Sequence, residues 1–143
     1  MSKLRPVLGL AAGVILIISS AAHSVFGWKG LRAELDGAHV PADLVFALGV
    51  GWQFGGLAMF CFGLIVARIF LGRLKNGTPA AFPAAVIAAA YGLFGVWALV
   101  ASGFRLFYLV FIVPALLIGV AVPGGTGYSN RTRGGGAAEG SER

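Results

Sequence analysis

The sequence predicts an all-α integral membrane protein, a four-helix transmembrane bundle with both termini in the cytoplasm. Three observations predict it. Hydrophobic residues make up 58 % of the 143-residue chain and charged residues only 11 %, whereas a soluble domain carries about 25 % charged residues. Mean hydropathy is +0.88. The apolar residues fall into four long runs, and the connections between them alternate in positive charge. Spans are expected at about 7–26, 44–71, 80–101 and 105–122, so residues 1–122 form one transmembrane unit.

Lys3 and Arg5 give a basic start, and Pro6 opens a helix, where its missing N–H is no loss. The first run is Val7 to Phe26. With Ser20-Ala21-Ala22 it also resembles a cleavable signal peptide; its length and polar end favour a retained span. Gly9 and Gly13 form a GxxxG pair. Ser20, His23, Ser24 and Gly27 recur at i, i+3, i+4 and i+7, hence on one helix face. Small residues let helices approach closely in lipid, where burial brings no hydrophobic gain. This face is expected to meet protein.

Residues 28–43 read as an outer loop, broken by Gly30, Gly37 and Pro41, with at most a helical turn over Leu31 to Leu35. The second span, Leu44 to Leu71, carries Gly49, Gly56 and Gly63 at heptad spacing and one internal polar residue, Gln53. It is longer than a bilayer needs, so it tilts or emerges with Arg68 snorkelling. Cys61 reads as a small packing residue within it. Residues 72–79 form a tight polar turn.

The third span, Ala80 to Ala101, steps through Ala84, Ala88 and Gly92 at i+4 intervals, a second close-packing surface. Phe104 and Arg105 are expected in the first turn of the fourth span, which is near the minimum length. Pro114 should kink that span, and Ala115 with Gly119 offers a small-residue contact. From Pro123 onward, glycine, serine and charge without apolar periodicity predict a disordered cytoplasmic tail over 123–143.

Charge sets the orientation. Lys3, Arg5, Arg68, Arg73, Lys75, Arg131, Arg133 and Arg143 fall on one side, against Lys29, Arg32 and Arg105 on the other. The positive-inside rule places the first group in the cytoplasm of a bacterial-type inner membrane. The net charge of +6 therefore reads as topology and lipid contact, with no nucleic-acid motif to suggest another partner. A single cysteine excludes a disulfide framework.

With that orientation, Ser20, His23, Ser24, Gln53 and Arg105 gather towards the outer side, as a candidate ligand-binding or interhelical polar cluster. Trp28, Trp52, Trp97 and Tyr108 lie at similar depths. Histidine suits haem, metal or proton transfer, but no other span holds a histidine, and His39 lies in the loop. No metal site is expected. The Gln53 amide needs partners that hydrocarbon lacks, so it should bond across a helix interface. Arg105 reads as a snorkelling anchor or a ligand for an anionic group.

No Asp or Glu lies within a span, and no nucleophile–base pair, P-loop, dinucleotide fingerprint or HExxH motif occurs. Enzymatic activity is therefore not the leading expectation. The expected function is an accessory or assembly subunit that docks to a larger membrane complex or self-associates. The packing residues are Gly9, Gly13, Gly49, Gly56, Gly63, Ala84, Ala88 and Gly92. The alternative is a binder or enzyme for a lipophilic cofactor or substrate (haem, quinone or lipid) at an outer-leaflet polar pocket.

Overall fold

A computed structural model describes residues 3–77 and 79–123. Among the described residues the chain is helical, with no strand. Helix α1 (Leu4–Ala22) runs through a π-helical turn (His23–Gly27) into α2 (Trp28–Gly37). Then follow α3 (Ala42–Leu74), α4 (Phe82–Ala101), a 3₁₀ turn (Leu106–Tyr108) and α5 (Leu109–Ala121). Three helices are long and apolar enough to cross a membrane: Leu4–Gly37, Ala42–Leu74 and Phe82–Ala101. The last apolar helix, Leu106–Ala121, is shorter.

Two local expectations are corrected. Residues 28–37 are not a loop; they prolong the first helix to 34 residues. A helix already nucleated extends cheaply, and its gain outweighs the roughly 1 kcal/mol cost of Gly30. Trp28, Leu31 and Leu35 are half-buried on one face, and Lys29, Arg32, Glu34 and Asp36 are exposed. The helix stops where His39 takes a positive φ of 54°, with its N–H and that of Val40 returning to the carbonyls of Asp36 and Leu35. Phe104 and Arg105 are not in the fourth helix. Phe104 has φ 62° and Arg105 is extended, because the end of α4 closes with the Phe104 N–H on the Leu99 carbonyl at 2.8 Å. The tail expected over 123–143 lies, beyond Pro123, outside the described residues.

Helix α1 lies between α3 and α5, and α4 packs on α5; α3 and α4 touch only slightly. The core includes Leu16, Val66, Phe70, Ile87, Tyr91 and Ile118. Most of these residues belong to the half of each helix nearest the basic end. There Arg5 donates to the Pro123 carbonyl at 2.8 Å. Arg73 donates to the carbonyls of Ala121 and Val122 at 3.1 and 3.2 Å, and its guanidinium lies 5.3 Å from the centroid of the Phe70 ring. These carbonyls are the ones α5 leaves without intrahelical donors, and a cation there complements the helix dipole.

Glycines lie where α1 and α3 come close. A Cβ on Gly13 would lie 2.7 Å from the backbone nitrogen of Ala67, and one on Gly63 would lie 2.7 Å from Cγ1 of Ile17. Gly9 sits under the Phe70 ring and Gly56 under the Ser24 hydroxyl. In the other pair, Gly95 lies against Ile112, and Gly92 faces Ala115. Ala84 is buried and Ala88 packs against the core. Cys61 is exposed, contrary to a packing role. Measured from the basic end at about 1.5 Å per residue, the long helix and α3 each reach about 50 Å, and α4 about 30 Å. The first hairpin therefore outreaches the second by roughly 20 Å.

Candidate functional site

The π-helical turn is where the first hairpin becomes polar. One extra residue per turn widens the helix and redirects its carbonyls. The His23 carbonyl receives the Trp28 N–H from within the helix and the Trp52 indole N–H from α3 at 2.8 Å. The Ser24 carbonyl accepts from the Gln53 amide at 3.1 Å. In return, His23 Nε2 lies 3.2 Å from the Trp52 carbonyl. The His23 and Trp52 rings stack with centroids 4.3 Å apart and planes 4° apart. Each helix thus uses a ring nitrogen to reach the other's backbone.

Glycine makes room for this latch. Gly27 takes the Trp52 indole at 3.0 Å from a would-be Cβ, and Gly49 takes the Trp28 indole at 2.8 Å. The two tryptophans lie 6.5 Å apart, tilted by 42°. The structure therefore joins His23, Ser24 and Gln53, adding Trp52 and Trp28. It does not join Ser20, whose hydroxyl bonds the Ile17 carbonyl one turn back at 2.7 Å. Nor does it join Arg105, which is exposed and whose backbone N–H bonds Ser102. No hydrogen bond links the Arg105 side chain to the latch among the described residues.

Beyond the latch, α2 and the start of α3 enclose an open cleft of about 580 Å³. Its walls are mostly apolar, with Trp28, Val45, Phe46 and Gly49 among them. Gln53 also lines it. At its mouth Arg32 and Asp36 pair at 3.7 Å, with side chains 61 % and 62 % exposed. Such a pair, one turn apart in solvent, contributes only about 0.3–0.5 kcal/mol. Sequence reasoning missed both residues, because the segment that carries them was read as a loop.

Haem does not fit His23. Its Nε2 is held by the Trp52 carbonyl, and one ring face is covered by the indole. Among the described residues, no three His, Cys, Asp or Glu side chains are grouped to hold a metal ion. No family model, no curated protein and no solved structure matches this chain.

Proposed function

We propose that this chain is a four-span protein of a bacterial-type inner membrane, with both termini cytoplasmic, that binds an amphiphile in the cleft between α2 and α3. The cleft carries this reading. It is concave and mostly apolar, with a few polar groups at defined places, and its volume of about 580 Å³ lies in the range of small-molecule sites. The fourth span is Leu106–Ala121, about 25 Å long at helical rises, close to the hydrocarbon thickness of about 30 Å. Lys3, Arg5, Arg68, Arg73 and Lys75 support placing the basic end inside.

A second reading keeps the chain as an accessory or assembly subunit, or as a self-associating one. Gly51 and Gly119 favour it, since among the described residues no other helix comes within 4 Å of a Cβ placed on either. The other small-residue stripes support it less, because Gly9, Gly13, Gly56, Gly63 and Gly95 all meet the chain's own helices.

Native mass spectrometry of protein released from native-lipid discs separates the two. The expected result is one amphiphile retained at a one-to-one ratio and lost in Val50→Trp, which fills the cleft from an exposed position. Co-purifying subunits with no retained small molecule would instead establish the second reading.

A further inference from the structure

We infer that the cleft takes a zwitterionic phospholipid whose headgroup carries a primary ammonium, with Arg32 holding the phosphate and Asp36 the ammonium. The inference rests on the cleft reading above and names its ligand class. Three observations carry it: the depth of the charged pair, its sign pattern, and the character of the walls beneath it.

Depth comes first. At about 1.5 Å per residue Arg32 stands roughly 40 Å along the helix from Arg5. That matches the full thickness of a bilayer with both its headgroup regions, about 40–45 Å. Arg5, at the basic end, and Arg32, at the cleft mouth, thus stand at opposite faces of the bilayer, and the cleft, on the part of the first hairpin that outreaches α4, lies at the outer headgroup level. Phe46 is 73 % exposed and Val50 56 % exposed, a surface suited to an acyl chain descending along α3.

The sign pattern selects the headgroup. Arg32 and Asp36 are neighbours one turn apart on α2, with Cβ atoms about 5–6 Å apart. A phosphate and an ammonium joined by a two-carbon link present the opposite charges at comparable spacing. Their own ion pair is weak and solvated, so exchanging it for two pairs with the ligand costs little. Arginine is the side chain suited to phosphate, because its planar fork donates two parallel hydrogen bonds. A purely anionic headgroup would pair with Arg32 but leave the Asp36 carboxylate facing it without a cation.

The aromatic content of the cleft argues for a primary rather than a quaternary ammonium. A quaternary ammonium has no N–H for Asp36 and depends on a cage of aromatic faces. Here the Trp28 indole is already seated on Gly49, and Phe46 is the other aromatic residue lining the cleft. A primary ammonium donates directly to the Asp36 carboxylate.

The test uses the full chain in discs of phosphatidylethanolamine mixed with phosphatidylcholine or with phosphatidylglycerol, read by native mass spectrometry. The expected result is retention of phosphatidylethanolamine over either competitor by roughly three- to tenfold, the value of one charge-assisted hydrogen bond at a partly exposed site. Asp36→Asn should erase the preference over phosphatidylcholine. Arg32→Gln should weaken retention of both zwitterionic lipids, and Lys29→Gln, on the same helix but outside the cleft, should change neither. A second readout is tryptophan quenching by acyl-brominated lipid, greater for the ethanolamine form in wild type and equal for both forms in Asp36→Asn. Retention that ignores headgroup, that favours phosphatidylglycerol, or that survives Asp36→Asn with its preference intact overturns the inference while leaving an amphiphile in the cleft. No retained amphiphile of any class, with no quenching above that of bulk lipid, overturns the cleft reading as well.

Discussion

The hairpin of α1, α2 and α3 is closed through backbone, whereas the hairpin of α4 and α5 is closed mainly by side chains. In the first, Gly13 and Gly63 bring the two main chains together, and farther out the side chains of Trp52 and Gln53 bond carbonyls of the π-helical turn. In the second, Ile112 fills the space left at Gly95, and the rings of Phe94 and Phe111 meet edge-on at 4.9 Å. The first hairpin also extends beyond the layer where the helices share a core. Without a core to close its outer third, it relies on directional hydrogen bonds. A mostly apolar cleft with a few polar groups can occupy that region without weakening the packed end.

The comparison breaks most readily at Gly13. Gly13→Leu places a branched side chain where a single Cβ already meets the Ala67 backbone, and backbone cannot rotate away. The expected cost is about 3 kcal/mol or more, seen as a large fall in unfolding temperature in detergent. Gly119→Leu, facing open space, should leave that temperature unchanged. Equal losses at both positions would remove the distinction between close backbone contact and free surface.

A smaller effect is expected at the latch. Trp52→Phe keeps a ring over His23 but removes the indole donor to the His23 carbonyl, worth about 1 kcal/mol. Amide exchange over residues 24–29 should then quicken about fivefold, with α4 and α5 unaffected. Acceleration throughout the chain would mean that the latch is not local. Gln53→Leu should do least. Its amide bond to Ser24 is exposed, and interhelical bonds of this kind average about 0.6 kcal/mol. A loss at Gln53 greater than at Trp52 would reverse their ranking.

The helices themselves were legible because apolar runs of such length seldom fold as anything but helices buried in lipid or protein. The face of Ser20, His23, Ser24 and Gly27 was expected from a period of 3.6; His23, Ser24 and Gly27 meet α3 through a π-helical turn instead, and Ser20 bonds its own helix. The α2 segment was misread because Gly30, Gly37 and Pro41 were weighed as punctuation in an isolated segment, whereas a helix arriving from Leu4 needs no new nucleus. Arg32 and Asp36 were missed with it. Arg105 was grouped with His23 on depth alone, and depth says nothing about which way around the bundle a residue lies. The π-helical turn left no local signal, since its register depends on donors that α3 delivers from 29 residues away.

The basic end carries a further consequence. Arg5 and Arg73 count among the charges that would hold the chain's orientation, yet Arg73 also binds the carbonyls of Ala121 and Val122 at the end of α5, and Arg5 that of Pro123 just beyond it. Insertion direction and closure of the final helix thus draw on the same two guanidinium groups. Moving those charges to invert the protein would also untie α5. Lys3, Arg68 and Lys75, all exposed, make no such bonds to α5 among the described residues, so they are the charges through which orientation can be altered separately from the fold.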